Sequence, residues 1–506
     1  MSVFVTTTLP YANSITGGHI GHVFELVLAD TFCRVINEGG RGLVLFNTGL
    51  DENGGKIAQA AQEYYPELTH QEALNKFREK THESWEKILD VYSIKPYRFY
   101  RTSDDNHKEF VLKIWDKLQK EGVIELRDYS GLYCQGCESF KTGQELKGGK
   151  CPDHPTTELQ EISEPNYFLT PSGRDHFETL DIIPRNRIPE AKNIFENYEG
   201  ISISRLHDPK SNLIQSPNPE HDIYVWFDAL LNYIYFHRYY KEEDFVRYRD
   251  SWNKDVFTVQ FCGQDNLRFQ SIVFQEILAH LGYNTTQKLF VHGIIRDENG
   301  QKLSKTLGNY VDPIQIAKIY GSDAVRLYLL CGLPTYSTSK WNNEDLVNLY
   351  NAWIVDGFGN LARRVTVLFD KFDLQEELKS VPIGSVESMG YADERTEKLV
   401  SDNHEEVYKF IAEGKFNEAG KSIHALVTEG NRYFNDQQPW NKELSPEERK
   451  QILQNTLWIV VGALRGYKNF LPESFDLIDK EIREWGCVWN SKERIESVKW
   501  FVKLEK

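Results

Sequence analysis

Two pairs of side chains in this sequence have the types and the spacing needed for chemistry on a phosphate group. His19 and His22 are three residues apart, so on the first turn of a helix they share one face, where both rings can donate hydrogen bonds. Lys302 and Lys305 follow a glycine turn at Gly300, a pattern typical of a mobile loop that holds a polyphosphate. Taken alone, the histidines also fit a metal site, and the lysines also fit a solvated turn.

The elements around the histidines favour a phosphate site. A β-branched strand over 3–8 breaks at Pro10. A loop ending at Gly18 then leads into an amphipathic helix predicted over 22–36, which stops at Gly39. Backbone N–H groups at a helix N-terminus lack intrahelical partners, so this strand, loop and helix together predict an anion site.

A second buried strand is predicted over 42–46, which completes a βαβ unit with its ligand crevice at the carboxyl ends of the strands. Asp51 lies just beyond that strand, where its carboxylate can pair with a substrate ammonium; an Asx turn is the alternative. Further strands are predicted over 256–261 and 288–293. The sequence therefore predicts an α/β fold, with a Rossmann-like doubly wound parallel-sheet catalytic domain.

Four residues have the spacing of a zinc knuckle, C-x2-C-x13-C-x2-H: Cys134, Cys137, Cys151 and His154. Two closely spaced pairs place four ligands at the corners of a tetrahedron with no open position, which is the geometry of a structural zinc site. The alternative is a set of unrelated buried thiols with a surface histidine. The cluster lies in an insert predicted over 124–222 and does not indicate a reaction.

Composition limits the remaining possibilities. At 506 residues the chain has room for about three domains, and no apolar run is long enough to span a bilayer. The net charge of −16 argues against a broad nucleic-acid-binding surface but leaves room for a local basic track. Seven cysteines, two of them in a C-x-x-C, and a first strand without a signal-peptide n-region predict a cytoplasmic protein.

Taken together, the motifs resemble those of class I aminoacyl-tRNA synthetases. Residues 19–22 (HIGH) match the HIGH motif, and residues 302–306 (KLSKT) resemble the KMSKS motif. The finer pattern is similar to the methionyl-tRNA synthetase family in the segments 9–13, 48–52, 134–154, 224–230 and 308–309. The resemblance runs from residue 4 to about residue 445.

The resemblance implies a ligase that activates methionine with ATP and transfers it to a tRNA with a CAU anticodon. His19 and His22 would stabilise the α-phosphate of ATP while the carboxylate of the amino acid attacks it. Lys302 and Lys305 would hold the leaving pyrophosphate, with Mg2+ sharing the charge, because this displacement needs positioning and charge neutralisation. The other residues implied at ATP are Gly21, Gly263, Asp265, His292, Gly293 and Ser304.

The resemblance also implies an amino-acid pocket, in which Asp51 would bind the substrate ammonium. The substrate side chain would be enclosed by Leu9, Tyr11, Trp226, Ala229, Leu230, Tyr233 and Phe269. Four of these residues, beginning at Trp226, are spaced i, i+3, i+4 and i+7. On a helix they form one face, which without the resemblance would indicate core packing.

The sequence departs from the family near this pocket. Asn266 and Gln270 stand where the family has an aliphatic residue and a histidine, and Gln264 replaces a lysine. Asn53 replaces another histidine, and the loop over 13–19 is two residues longer than usual. An unpaired buried amide costs about 1–3 kcal/mol. The added amides must therefore pair locally, bind a water molecule or recognise a more polar substrate.

Helical patterns dominate after residue 325, which predicts a tRNA-binding half. Amide, guanidinium and indole groups offer edge hydrogen bonds and a stacking surface to single-stranded bases, and the family resemblance implies that Asn360, Arg364 and Trp440 read the anticodon. Ordinary helix surface is the alternative. No further tRNA-binding domain follows, so a monomer is expected. The predicted domains besides the insert are 1–123 and 223–325 (catalytic domain), 326–350 (connecting stem) and 351–506 (α-helical anticodon-binding domain).

Three functions remain open at this point. A methionine–tRNA ligase is favoured by the anticodon residues. A paralogue that activates a different, more polar amino acid is suggested by Asn266 and Gln270. A non-catalytic tRNA-binding protein is disfavoured by the intact histidines and lysines. A nicotinamide-dependent dehydrogenase is excluded, because this sequence lacks the G-x-G-x-x-G fingerprint of that class.

Overall fold

The computed structural model describes residues 2–40, 43–134, 139–141, 146, 148–151, 157–235, 252–301, 303, 309–382, 389–474, 501 and 503–505. Its strands are β1 Ser2–Thr7, β2 Val44–Leu50, β3 Arg98–Arg101, β4 Ile124–Cys134, β5 Ser139–Lys141, β6 Gln160–Leu169, β7 Asp181–Ile183, β8 Ile201–Ser202, β9 Ser204–Leu206, β10 His221–Ile223, β11 Val256–Gly263, β12 Lys288–His292, β13 Ile295–Arg296 and β14 Ser339–Lys340.

The α-helices of the described residues are α1 Ile20–Glu38, α2 Gly55–Tyr64, α3 His70–Val91, α4 Asp105–Lys120, α5 Ile188–Glu196, α6 Val225–Tyr235, α7 Phe274–His280, α8 Pro313–Tyr320, α9 Ser322–Leu327, α10 Asn343–Tyr350, α11 Asn360–Lys371, α12 Gln375–Lys379, α13 Glu394–Ala412, α14 Phe416–Gln437 and α15 Pro446–Lys468. Three π-helical segments extend or join them: Phe269–Val273, Tyr328–Gly332 and Asn351–Gly359.

The central sheet has six parallel strands in the order β3-β2-β1-β11-β12-β7. Strand β1 lies inside the sheet, with Val3 opposite Val44 on one side and Phe257 on the other. The carboxyl ends of β1, β2, β11 and β12 therefore meet at one edge, as predicted for a doubly wound sheet.

Helix α1 packs against β1, β2 and β11. It begins at Ile20, two residues before the predicted start, because His19 is extended and its side chain accepts a hydrogen bond from the first turn. The apolar periodicity could not reveal this cap, since a histidine is not a usual capping residue. The helix ends at Glu38 with Gly39 as its cap, close to the predicted end.

A separate antiparallel sheet, in the order β5-β4-β6-β8, forms much of the predicted insert. Its long pair, β4 and β6, runs in register from Ile124 opposite Leu169 to Tyr133 opposite Gln160. Strand β7, although it lies within 124–222, pairs in parallel with β12 and belongs to the central sheet. The insert prediction was too broad here, because a three-residue strand has too short a pattern to reveal its partner.

The helical half contacts α1 through a buried cation, Arg326 at the end of α9. Its guanidinium donates to the Asp30 carboxylate at 2.8 Å and to the backbone carbonyls of Tyr92 and Phe470, both at 2.9 Å. Burial lowers the pKa of Arg326, and the charge of Asp30 opposes that shift. In the part of the chain that the structure describes, no helix has the length and apolar character that a membrane crossing requires.

Candidate active site

His19 and His22 form one stacked pair at the start of α1, with their ring centroids 3.9 Å apart. Nδ1 of His19 accepts from the backbone N–H of Gly21, and Nδ1 of His22 accepts from the backbone N–H of His19, both at 3.1 Å. A neutral imidazole whose Nδ1 accepts carries its proton on Nε2, so both rings are set as Nε2–H donors. Because both Nδ1 atoms accept from backbone N–H groups and both Nε2 atoms then carry protons, the pair presents hydrogen-bond donors instead of metal ligands, and a phosphate group is the better fit.

The segment that follows the predicted lysine loop lies directly against these histidines. The Tyr310 hydroxyl donates to the Gly18 carbonyl at 2.6 Å, and the Ile20 N–H donates to the Val311 carbonyl at 3.3 Å. A Cβ on Gly18 would lie 2.3 Å from the ring of Trp85, so only glycine allows this close approach.

The lysine loop itself is only partly described. Lys302, Ser304 and Lys305 lie outside the described residues, whereas Leu303 between them is buried. Asn309 donates to the Asp297 carboxylate at 2.9 Å, which ties the two sides of the loop together at its base. The described contacts therefore place the base of this loop beside the N-terminus of α1.

Four of the residues predicted to bind ATP lie together at the carboxyl edge of β11 and β12: Gly263, Asp265, His292 and Gly293. A Cβ on Gly263 would lie 2.6 Å from Oδ1 of Asp265 and 3.6 Å from Cε1 of His292. A Cβ on Gly293 would lie 2.1 Å from the backbone oxygen of Ser337. Gly293 is thus required by close packing against the backbone, whereas a side chain at Gly263 would displace the Asp265 carboxylate.

His292 forms a buried ion pair with Glu25, a residue that sequence analysis missed. Nε2 of His292 donates to Glu25 at 2.8 Å, and Nδ1 donates to the Gly293 carbonyl at 2.8 Å. Burial lowers the pKa of His292, but the hydrogen bond and the charge of Glu25 outweigh it and raise the pKa above its ordinary value. Glu25 also accepts from the N–H and hydroxyl of Thr8, both at 2.6 Å. A carboxylate among the apolar residues in the first half of α1 was the available signal.

Asp51 is buried beside the loop that follows β1. Its N–H donates to the Pro10 carbonyl at 3.0 Å, and its own carbonyl accepts from the N–H of Ala12 at 2.8 Å. Two longer contacts reach its Oδ1, from the N–H of Asn53 at 3.4 Å and from the Thr102 hydroxyl at 3.5 Å. The contact from the Asn53 N–H is the one expected of an Asx turn. Because it is long, the Asp51 carboxylate can form this turn and still pair with a substrate ammonium.

Asn53, which replaces a histidine of the family, is fully engaged. Its Nδ2 donates to the Asp228 carboxylate at 2.6 Å, and its Oδ1 accepts from Arg78 at 2.9 Å. Asp228 in turn lies 2.6 Å from Nε2 of His107. These hydrogen bonds hold Asn53, two residues after Asp51, in one position.

Most of the predicted pocket residues lie on α6 or on the segment that follows β11, whereas Leu9 and Tyr11 lie on the loop after β1. Trp226 and Phe269 stack face to face, with ring centroids 3.8 Å apart and an interplanar angle of 6°. Ala229, Leu230 and Tyr233 are buried on the same helix. The other pocket residues, Leu9, Tyr11 and Asn266, are partly exposed.

Two further amides that depart from the family pattern also have protein partners. Gln270 is buried, accepts from Gln260 at 2.9 Å and donates to the Tyr233 hydroxyl at 3.1 Å. Gln264 accepts a hydrogen bond from the Arg187 guanidinium. Of the three possibilities for Gln270, local pairing is therefore the one that the structure shows.

Two of the three predicted anticodon residues are in contact. The Arg364 guanidinium lies 5.8 Å from the ring centroid of Trp440 and 4.7 Å from that of Phe434. It also donates to Asn435 at 2.7 Å, which fixes its orientation. Trp440 is 41% exposed, and Asn360 is exposed one turn before Arg364 on α11.

The predicted zinc ligands are only partly described. Cys134, at the end of β4, and Cys151 are both fully buried. Cys137 and His154 lie outside the described residues. Two thiols buried at the end of an otherwise solvent-exposed sheet are consistent with ligands of a metal site.

Comparison with known proteins gives a consistent result. Residues 3–166 and 178–366 match the family model described as tRNA synthetases class I (M). The chain is 32% identical to the methionine–tRNA ligase of Caldanaerobacter subterraneus subsp. tengcongensis over 479 residues, which cover 91% of this chain and 70% of that protein. It is also 32% identical to the methionine–tRNA ligase of Synechocystis sp. over 472 residues, which cover 90% and 84%.

The fold is similar to that of a solved structure. Mycobacterium tuberculosis methionyl-tRNA synthetase in complex with methionyl-adenylate superposes with a TM-score of 0.80 at 25% identity, over 100% of this chain and 97% of that chain.

The His292–Glu25 pair predicts a specific pH dependence of stability. Because the pKa of His292 is raised in the folded state, its contribution to the free energy of unfolding is complete below about pH 6.5 and is lost as the pH rises through the folded-state pKa. In urea titrations, the difference in free energy of unfolding between the wild type and His292→Gln should therefore fall as the pH rises above about 6.5.

His424 provides the control with the opposite sign. Burial lowers its pKa, so the stability of the wild type relative to His424→Gln should rise as the pH increases through its ordinary value. A wild-type minus His292→Gln difference that stays constant with pH would contradict a charged His292.

Proposed function

We propose a role for each site residue from the premise that this chain belongs to the methionyl-tRNA synthetase family of class I aminoacyl-tRNA synthetases. Its activity is that of a methionine–tRNA ligase. The observation that supports the proposed site most directly is the pair of hydrogen bonds from Tyr310 and to Val311, which hold the base of the lysine loop against Gly18 and Ile20.

In the first step, the methionine carboxylate attacks the α-phosphorus of ATP, a new phosphorus–oxygen bond forms, and pyrophosphate leaves with the electrons of the broken bond. The Nε2–H groups of His19 and His22 donate to the α-phosphate oxygens as charge develops there. Lys302 and Lys305 neutralise the leaving pyrophosphate. Mg2+ bound to the ATP phosphates would add to this charge neutralisation.

The carboxyl edge of β11 and β12 binds the adenosine part of ATP. Gly263, Asp265, His292 and Gly293 converge there, and the backbone of Ser337 leaves no room for a side chain at Gly293. The His292–Glu25 pair fixes this edge against α1, so the adenosine and phosphate parts of the site are held in one geometry.

Asp51 binds the methionine ammonium, and Trp226, Phe269 and Tyr233 line the side-chain pocket. The internal hydrogen bonds of Gln270 support methionine over a polar amino acid, because this buried amide already has protein partners on both its oxygen and its nitrogen.

Methionine-dependent exchange of pyrophosphate into ATP tests this function. Methionine should drive exchange far above every other amino acid in a panel. His22→Ala should lower the rate by about 100- to 1,000-fold, because one donor to the developing charge is lost, while tRNA affinity stays nearly unchanged.

His82→Ala removes a matched helical histidine on α3 that pairs with Glu86, and it should leave exchange at the wild-type rate. Equal losses of exchange and tRNA affinity in His22→Ala would contradict a catalytic role. A panel in which a polar amino acid exceeds methionine would contradict the assignment of the substrate.

The Arg364–Trp440 cluster reads the CAU anticodon of the tRNA together with Asn360. Base stacking on an aromatic side chain is worth about 1–3 kcal/mol, so Trp440→Ala should lower kcat/KM for tRNA by about ten-fold or more and leave pyrophosphate exchange intact. Arg432→Ala, on α14 and paired with Glu429, is the control and should change neither quantity. A loss of exchange in Trp440→Ala would point to unfolding instead of anticodon recognition.

Cys134, Cys137, Cys151 and His154 bind one structural zinc ion, which supplies no step of the reaction. The support is their spacing and the complete burial of the two described thiols. Elemental analysis of the purified protein should find about one zinc per chain, and Cys134→Ser should lose it. Cys331→Ser, a free thiol of the stem, should retain it. Zinc retained in full by Cys134→Ser would contradict this site.

A cytoplasmic location and a monomeric state stay predictions of the sequence.

A further inference from the structure

The loop between β9 and β10 contacts the segment that follows Asp51. Asn212, in this loop, places its side-chain amide against the backbone of residues 52–54. Its Oδ1 accepts from the N–H of Gly54 at 2.8 Å, and its Nδ2 donates to the Glu52 carbonyl at 3.3 Å. Because a backbone N–H can only donate, the first contact defines which end of the amide is the oxygen. The amide therefore bridges two backbone groups directly after Asp51.

Gly54 is the member of this segment that most needs an external partner. Its φ is +124°, a conformation that residues with a Cβ rarely adopt. Glycine leaves the backbone free to turn, and the hydrogen bond from its N–H to Asn212 restricts that freedom. The preceding N–H, of Asn53, points to Oδ1 of Asp51 at 3.4 Å. The orientation of this backbone therefore also affects the surroundings of the Asp51 carboxylate.

The Glu52 end of the segment is held by the catalytic domain itself. Arg78 of α3 donates to the Glu52 carbonyl at 2.9 and 3.1 Å. The Glu52 carboxylate accepts from Nε of Arg101, at the end of β3, at 2.9 Å. Asn212 thus adds the contact at the Gly54 end, and it does so from the region of the predicted insert.

Asn212 is itself held by a buried carboxylate on β10. Asp222 accepts from Nδ1 of His207 at 2.8 Å, from the N–H of Asp208 at 3.1 Å and from the Ser211 hydroxyl at 3.2 Å. A buried carboxylate with several donors favours one arrangement of the groups around it. Asn212 follows Ser211 directly, so its position is set by this cluster.

We propose that Asn212 is a positioning residue for Asp51: it fixes the backbone of residues 52–54 and, through that backbone, the direction of the carboxylate that binds the substrate ammonium. This inference rests on the proposed function, in which Asp51 binds that ammonium. A charge-assisted hydrogen bond depends on the direction of its acceptor. Because Asp51 contacts the amino acid and not ATP, loss of Asn212 should weaken the binding of methionine alone.

Asn212→Gly tests this role. Asn212 has a φ of +49°, and glycine keeps that left-handed backbone while the bridging amide is lost. In ATP–pyrophosphate exchange, the KM for methionine should rise about ten-fold, since two hydrogen bonds that hold the segment are removed. The KM for ATP and kcat should stay within about two-fold of the wild-type values, because the lost interaction is equal in the ground state and the transition state.

Two competitive inhibitors show whether the loss acts through the ammonium. Methioninol keeps the ammonium group but lacks the carboxylate, whereas γ-methylthiobutyrate keeps the carboxylate but lacks the ammonium. In Asn212→Gly, the inhibition constant of methioninol should rise about ten-fold, like the KM for methionine. The inhibition constant of γ-methylthiobutyrate should stay unchanged, since this molecule has no group for Asp51 to bind.

Asn218→Gly is the matched control in the same loop. Its Nδ2 donates to the Tyr167 hydroxyl at 3.3 Å, away from residues 52–54, so both KM values should stay at the wild-type level. Asp222→Asn provides the test if Asn212→Gly does not fold. Because an amide nitrogen cannot accept the hydrogen bonds of the carboxylate oxygen that it replaces, the loop loosens. The KM for methionine should then rise about three-fold, with that for ATP unchanged.

Three results would overturn the inference. The first is an unchanged KM for methionine in Asn212→Gly, or in Asp222→Asn if the glycine variant does not fold. The second is an equal rise in the KM for ATP, and the third is an equal rise in the inhibition constant of γ-methylthiobutyrate. A wild-type protein that shows no methionine-dependent exchange would instead overturn the proposed function.

Discussion

A guanidinium group removed from water must find acceptors for its N–H groups, and Arg326 finds them where three parts of the chain meet. Its partners come from α1, from the end of α3 and from the segment after α15. A buried cation with a missing acceptor is strongly destabilising, so these parts have little freedom to move apart. This contact is one of those that hold the helical half against the catalytic half.

Helix α1 carries that constraint into the site. It is 19 residues long, about 28 Å, with the two histidines at its N-terminus and Asp30 beside Arg326 further along. Glu25, between them, holds His292 at the end of β12. One rigid element therefore sets the phosphate contacts, the adenosine edge and the joint to the helical half.

The amide side chains that stand where the family has other residues form hydrogen bonds with their neighbours in the protein. Asn53 is held between Asp228 and Arg78, and Gln270 is held between Gln260 and Tyr233. Such networks stabilise a single arrangement only when every member is satisfied. In this pocket they give a buried amide protein partners on both its oxygen and its nitrogen, without requiring a polar substrate.

The sequence by itself was enough for the βαβ start, the extent of α1 to within two residues, the parallel strands and the spacing of the histidine and lysine motifs, because these depend on local periodicity and short motifs. Only the tertiary structure decided the partners of Gln270, the pairing of β7 with β12, and the roles of Glu25 and Arg326. Glu25 and His292 are 267 residues apart, and Arg326 and Asp30 are 296 apart. No local pattern records which distant group neutralises a buried charge, since that choice is made by packing and by the cost of leaving the charge unpaired.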